Sequence, residues 1–367
     1  MNRVDGSDDW RRLCHEGGVR HAETVDREVL AAARIAELEA EVARQKATVA
    51  AIVDSRSWRL TAPLRRVRHR RVSPGEPQAP GEDLFETRMR AAYEARAGFW
   101  QQAEPQTFNQ KVWHRRLTDR RDVLHTYCDK QATREYVAAR LPEEALVPRL
   151  AAVDHPADLL DLDLPEQYVV KARHGSGGSA VVWDGPNSEG QAWVHPWIRR
   201  AYHAADAPLP RIAEDLAPCL SHDYGWDALE WGYLGVPRQL LVDTLVRGPE
   251  GGLPLDLRCY TFHGRVEVLE IASDRQRDDT RYASWHDRDW NLLPIVTRLT
   301  HRPHDAPPGV AEVIEMSELL AGDDPFVRVD WLMTDEGPKF AELTPYSHGG
   351  TALFKAEWAD EFLGGFW

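Results

Sequence analysis

The chain has little cysteine: Cys14, Cys128, Cys219 and Cys259 are the four in 367 residues. They are widely scattered and form neither a C-x-x-C pair nor a dense framework, so reduced, buried thiols are expected. Nothing approaches the roughly 18 consecutive apolar residues of a membrane span. The first ten residues, Met-Asn-Arg-Val-Asp-Gly-Ser-Asp-Asp-Trp, lack the apolar stretch of a secretory leader, which makes the cytoplasm the expected compartment. There is no repeat, no Ser/His/Asp hydrolase spacing and no metal-ligating Cys cluster. An excess of basic charge is lacking too, and a formal net charge of −14 argues against a general nucleic-acid surface without forbidding a local basic patch. What remains is a globular composition, 43% hydrophobic with mean hydropathy −0.52, long enough for one large α/β unit and an appendage.

Residues 22–54 carry Ile35, Leu38, Val42, Val49 and Ile52 at alternating steps of four and three, with Gln45 in the one polar slot. That spacing predicts a helix, either a short coiled coil or a docked amphipathic helix. Ser55 to Arg71 follows, strongly basic with Trp58, Leu60, Leu64 and Val67 interleaved. It fits either attachment to the inner face of an anionic membrane or an acidic partner, or a solvated linker. Residues 73–82 are rich in Pro and Gly and cannot continue a helix. The expected organisation is therefore a helical and basic segment over 1–72, a linker over 73–82 and a folded domain over 83–367.

Two stretches of that domain carry chemistry. Tyr168 to Ser179 is a β-run with Lys171 embedded, opening into His174-Gly175-Ser176-Gly177-Gly178. Backbone N–H groups of such a loop and one ammonium can close around phosphate oxygens. The second is Phe326-Val327-Arg328-Val329-Asp330 followed by Phe340-Ala341-Glu342-Leu343-Thr344. If Asp335-Glu336-Gly337 is a three-residue hairpin loop with Gly337 at positive φ, Asp330 faces Glu342 and Arg328 faces Thr344. Alternation then leaves these four on one polar face and Val327, Val329, Trp331 and Met333 on the other. Facing carboxylates about 4.5–5.5 Å apart cost stability unless a cation lies between them. Mg²⁺ held by two acids and completed by phosphate oxygens is one answer; an exposed hairpin with solvated acids is the other.

Elsewhere helices are expected at 84–101, 107–117, 129–140, 191–205 and 309–321. Strands are expected at 168–173, 179–183, 238–246, 255–262, 265–272, 326–333 and 338–343. Short turns between strands imply a largely antiparallel α+β architecture with helices packed on the sheets.

From about residue 105 to 362 the order of motifs resembles the TupA-like branch of the ATP-grasp superfamily. The resemblance rests on Thr107-Phe108-Asn109-Gln110-Lys111, Asp129-Lys130, Arg134-Glu135-Tyr136-Val137, Val170-Lys171 and the His174 to Gly178 loop. It continues through Glu230-Trp231, Pro237-Arg238, Leu240 to Asp243, Asp256-Leu257-Arg258, Phe262-His263-Gly264 and Ser273-Asp274-Arg275. Asp289 to Pro294, Phe326 to Asp330 and Glu342-Leu343-Thr344 complete it. It implies an ATP-grasp fold in which two α+β lobes enclose ATP, and a carboxylate–amine ligase that makes an amide through an acyl phosphate. It places Lys171 on the phosphates, the His174, Gly175, Ser176, Gly177, Gly178 loop as a lid, Asp243 near adenine and ribose, Arg258 near the phosphates and Mg²⁺ on Asp330 and Glu342. Lys171, Arg258, Arg328 and Arg275 are the implied catalytic cations. The Ser-x-Ser-Trp-Arg-Leu-Thr-x-Pro-Leu-Arg string at 55–65 resembles a segment of bacterial glycosyltransferases and related cell-surface polysaccharide proteins. Kinship thus implies a uronic-acid polymer as substrate setting and a polysaccharide-assembly partner.

Rival readings stand beside these. Lys171 fits a strand-end surface lysine, His174 a loop filler, Asp243 an exposed strand terminus, and Arg258 a salt bridge to Asp256 or Glu267. Arg275 suits either a substrate carboxylate or a solvated loop. At the level of activity, a phosphotransferase acting on a hydroxyl and a non-catalytic nucleotide-binding module are the alternatives. Three departures from relatives are visible: Thr344 where Glu-x-Asn is common, Asp243-Thr244 where Glu-Glu is common, and an inserted-looking stretch from Ala204 to Leu229, where substrate preference would diverge.

Overall fold

The computed structural model describes residues 82–97, 104–185, 197, 199–206, 209–248, 251–273, 282–297 and 299–367. All belong to the compact unit spanning Ala79–Trp367. The expected helix over 22–54, the basic segment 55–71, most of the linker and Arg275 lie outside the described residues. No helix among the described residues is long and apolar enough to cross a membrane.

Two sheets frame the unit, which is α+β. The smaller contains β1 (Arg149–Val153), β2 (Tyr168–Ala172), β3 (Ser179–Trp183), β4 (Arg199–His203) and β5 (Leu240–Thr244), in the order β1-β5-β2-β3-β4. Alternation in β2 sends Tyr168, Val170 and Ala172 inward, where they meet Ala180, Val182, Leu240 and Val242. The helix Leu209–Ser221 covers this layer with Ile212, Leu216 and Cys219, together with Leu159 from the 3₁₀ turn Pro156–Asp161. The stretch that looked inserted thus supplies part of the lobe's core. The helix expected over 191–205 is corrected in its second half: residues 199–203 form β4, parallel to β3. Tyr202 is buried there, with its hydroxyl and Arg200 both donating to Asp215 of the covering helix at 2.5 Å. Tertiary pairing overrides local propensity at this point.

The larger sheet has β6 (Leu255–Phe262), β7 (Arg265–Ser273), β8 (Tyr282–Asp287), β9 (Leu292–Leu293), β10 (Thr300–His301), β11 (Phe326–Thr334) and β12 (Gly337–Thr344). Their order is β10-β8-β7-β6-β11-β12, with β9 paired to β8. The helix Val310–Ala321 packs on the face carrying Leu257, Cys259, Val329 and Trp331, where the Trp331 indole N–H donates to Ser317 Oγ at 2.9 Å. On the opposite face the helix Phe108–Thr118, begun by a Thr107/Gln110 capping box, inserts Phe108 edge-on against Phe326 at 5.0 Å between centroids.

Further along that second face lies a row of charges. Register aligns Glu270, Arg258, Asp330 and Glu342 on β7, β6, β11 and β12. Two bulges set this alignment. Pairing of β6 with β7 skips Glu267, which brings Glu270 rather than Leu269 opposite Arg258. Pairing of β11 with β12 skips Ala341, which brings Glu342 opposite Asp330. The hairpin loop itself holds two residues, Asp335 and Glu336, between the paired Thr334 and Gly337, not the expected three. Gly337 does take a positive φ, +97°.

Phe108→Ala is expected to cost about 3–5 kcal/mol in urea unfolding, the usual result of emptying a fully buried aromatic site. Burial alone would raise the Glu270 carboxyl, but Arg258, at 3.0 Å, overrides it and brings the group down to about 2. A depressed carboxyl contributes stability above its unfolded value, and that contribution fades as pH falls towards 2. Glu270→Gln is therefore expected to lose roughly 3 kcal/mol at pH 7 relative to wild type. The gap should close between about pH 4.5 and pH 2; a gap independent of pH would disprove the linkage.

Candidate active site

The charged row ends in a cluster built on β11 and β12. Arg328 donates to both oxygens of Asp330, at 2.7 and 2.6 Å, reaches Thr344 at 3.4 Å and lies 3.5 Å from Glu342. Its remaining nitrogen donates to Ser347 Oγ at 3.0 Å. The polar face read from the hairpin is thus assembled, and the cation nearest the two acids is Arg328 itself. Arg258 bonds Glu270 at 3.0 Å and Asp256 at 3.4 Å. Its expected rival partner Asp256 is therefore found, whereas Glu267, displaced by the bulge, pairs with Arg265.

Four carboxylates, Asp256, Glu270, Asp330 and Glu342, meet two guanidiniums here. Burial pushes the Asp330 carboxyl up to about 6, Glu342 adds to the rise, and even the bidentate Arg328 does not cancel it. A hard divalent cation beside Asp330 would favour its ionised form. Each carboxylate oxygen carries more lone pairs than Arg328 uses, so Asp330 and Glu342 fit Mg²⁺ with oxygen ligands. Among the described residues no group of three or more His, Cys, Asp or Glu could hold a metal, and the remaining ligands would have to be phosphate oxygens and water.

Across from Glu342 a second set of charges comes from the smaller sheet. Lys171 on β2 pairs with Asp243 on β5 at 2.7 Å, and Arg149 on β1 donates to the other Asp243 oxygen. Burial works to raise Asp243, but Lys171 and Arg149 override it and hold the carboxyl below the ordinary aspartate range. The group expected on adenine and ribose here anchors two cations. Lys171 keeps 26% of its side chain exposed and, with Lys130, Arg149, Asp243, Tyr233 and Glu342, lines a single cavity. Lysine strand and acidic hairpin therefore share a cleft.

Lys130 carried no assigned role in the sequence reading beyond its place in Asp129-Lys130. The structure sets it at the start of the helix Lys130–Ala138, whose cap Asp129 accepts from Gln131 N and binds Arg173 through two contacts of 2.6 Å. From there its ammonium donates to the Gly175 carbonyl. Burial pushes Lys130 down to about 8, while Glu342 pulls it back up. Signals that could have found it were the acidic cap and the single lysine beside it.

In the glycine loop, Gly177 and Gly178 take φ of +98° and +59°, which favours residues without Cβ. Ser176 Oγ receives a bond from Arg199 at 3.3 Å. His174 turns inward: its Nε2 donates to the Cys219 carbonyl at 3.0 Å, its ring packs 5.3 Å from Trp197, and burial lowers it to about 4. It supports the loop from behind and does not line the cavity.

Residues 236–366 match the family model "TupA-like ATPgrasp". The match holds β5, Asp243, the charged row and the hairpin, and begins after Lys171 and the glycine loop. No curated protein matches the chain. Among solved structures it is similar to the D-alanine–D-alanine ligase of Bacillus anthracis, at 14% identity and TM-score 0.32 over 60% of this chain and 58% of that one. It is also similar to the L-amino acid ligase of Bacillus licheniformis, at 12% identity and TM-score 0.41 over 72% of this chain and 56% of that one. The chain thus spans little more than half the length of these two ligases. The acid pair of the hairpin and the Arg258 row lie inside the matched stretch, so it is the part of the chain that carries them, residues 236–366, that is similar to the TupA-like ATP-grasp family.

Proposed function

We propose that this chain is an ATP- and Mg²⁺-dependent carboxylate–amine ligase that forms an amide through an acyl phosphate. One observation carries the reading: a single cavity has Lys130, Lys171, Arg149 and Asp243 on one side and Glu342, cross-strand to Asp330, on the other. Cations facing a carboxylate pair suit a triphosphate bridged to a metal. On this reading Lys171 and Lys130 bind phosphate oxygens, and the glycine loop offers backbone N–H groups beside them. Asp330 and Glu342 hold Mg²⁺, which when bound screens phosphate charge against the incoming carboxylate. Arg328, fixed by Asp330 and Ser347, and Arg258, fixed by Glu270, present positive charge where the acyl phosphate forms. Arg275 is retained as a proposed carboxylate ligand. Positioning and charge neutralisation account for the chemistry, so no protein nucleophile is required.

Kinship supports a finer assignment: amide formation on a uronic-acid-containing cell-surface polymer at the inner face of the membrane, with an amino acid or amino sugar as acceptor and residues 55–71 as the contact to membrane or assembly partner. A screen of uronic acids and amines for ADP release, with mass spectrometry of the product, tests it. A stable phosphorylated product formed without amine would replace the ligase by a phosphotransferase.

Glu342→Gln is expected to abolish Mg²⁺-dependent ADP formation while leaving circular dichroism unchanged; undiminished turnover would remove Glu342 from the mechanism. Lys171→Met should raise the KM for ATP at least tenfold.

A further inference from the structure

The glycine loop joins β2 to β3 and so belongs to the smaller sheet. Its base is closed by the Ala172 N–H, which donates to the Gly178 carbonyl at 2.7 Å, and by the Arg173 N–H on the Gln239 carbonyl at 2.9 Å. From the same lobe the Cys219 carbonyl holds His174 and Arg199 reaches Ser176. Trp197 and Tyr224 pack on Gly175 so closely that a Cβ there would come 2.6 Å from the Trp197 ring. Between these ties lies a tip, Gly175 to Gly177, whose one side chain belongs to serine. A segment with so few side-chain contacts of its own takes its order from what grips its backbone.

The larger lobe supplies that grip. The helix Lys130–Ala138 is rooted by Val137 in the core of the larger sheet and packs on β12, the strand of Glu342. Its first turn reaches the loop at two levels. At the entry, Asp129 binds Arg173 through two contacts of 2.6 Å, and the Lys130 N–H donates to the Arg173 carbonyl at 3.4 Å. At the tip, the Lys130 ammonium donates to the Gly175 carbonyl. Lys130 also lines the cavity with Lys171 and Glu342, so this tie runs along the cavity wall. Burial works against its charge there and Glu342 sustains it. An ammonium carries three N–H donors; the carbonyl takes one and leaves two for a phosphate.

We propose that Lys130 is a positioning residue that straps the tip of the glycine loop to the larger lobe, so that the loop is set beside the cavity before a nucleotide arrives. Ordering the tip during folding removes that entropy from the binding step. The strap also joins the two binding elements, because the helix that carries Lys130 packs on the strand that carries Glu342. A phosphate taking the two remaining N–H groups of Lys130 is thereby tied to the loop through a single side chain. The catalytic use of the strap rests on the ligase reading, whereas the strap itself is a property of the ligand-free chain.

The full chain carrying Cys14→Ser and Ser176→Cys is labelled with a nitroxide at position 176, which is exposed, while Cys128, Cys219 and Cys259 are buried. Electron paramagnetic resonance spectra are recorded without nucleotide. Adding Lys130→Met should shorten the rotational correlation time of the label at least twofold. Adding Lys171→Met, which removes a cavity cation that does not touch the loop tip, should leave it within experimental error. An unchanged spectrum for Lys130→Met, or equal loosening by Lys171→Met, overturns the proposal. Should Lys130→Met fail to fold, Lys130→Gln is read instead: the same loosening is expected, and an unchanged spectrum overturns the proposal. Calorimetric titration of the unlabelled wild type with Mg²⁺·ADP separates the two readings. Binding beside an unchanged Lys130→Met spectrum sinks the strap alone. Absence of binding beside a loosened spectrum sinks the nucleotide reading and leaves the strap established.

Discussion

A cross-strand row of opposite charges, Glu270–Arg258–Asp330–Glu342, is the constraint on which the site depends. In a low-dielectric setting Glu270, Arg258 and Asp330 depend on their cationic or anionic partners, because removing one leaves a buried charge uncompensated, whereas Glu342 adds a like charge beside Asp330. Arg258 pairs with Glu270 and Asp256, and Arg328 with Asp330. The row ends on Glu342, whose side chain is 38% exposed and borders the cavity. The exposed end of the row is therefore placed where a ligand can reach it.

The facing lobe follows the opposite arrangement. There one buried acid, Asp243, restrains two cations, Lys171 and Arg149, while Lys130 is held to the glycine loop by a backbone carbonyl. Cations fixed by a shared carboxylate lose little rotamer freedom when a phosphate arrives, since most of that entropy is already lost on folding. The cavity thus has three preset cations, Lys130, Lys171 and Arg149, together with Glu342 of the acid pair in its lining. Positioning of this kind suits phosphoryl transfer, in which alignment and charge stabilisation supply most of the rate.

Much of this was legible in the sequence, and the failures have local causes. Lys171 before a glycine-rich loop and Asp330 opposite Glu342 followed from alternation and turn chemistry. Yet the hairpin pairing came out through two departures that cancel: a loop shorter by one residue and a bulge at Ala341 that restores the register. The bulge at Glu267 had no such cancellation, so Glu270 was missed as the partner of Arg258. Period-2 reasoning is blind to a single extra residue, because one slip exchanges the two faces of a strand. The segment read as a helix before 205 fails for a different reason: Arg199 to His203 is recruited as a strand by β3, and Tyr202 finds a buried acid there. His174 looked available beside three glycines, but its imidazole is neutral and bonded inward.

Glu230 shows what only packing reveals. In the sequence it is one acid among 59 acidic residues, and nothing in Leu-Glu-Trp-Gly-Tyr distinguishes an exposed carboxylate from a buried one. Its character comes from burial: among the described residues its side chain makes no direct ion pair, whereas the six other buried acids have a cationic nitrogen within 3.4 Å. Arg116, from a helix more than 100 positions earlier, directs three of its five N–H groups to carbonyls and lies near enough to lower the Glu230 carboxyl against the effect of burial. The arginine thereby stabilises the turns on both sides of Glu230 and supplies the nearby positive charge without closing a direct ion pair.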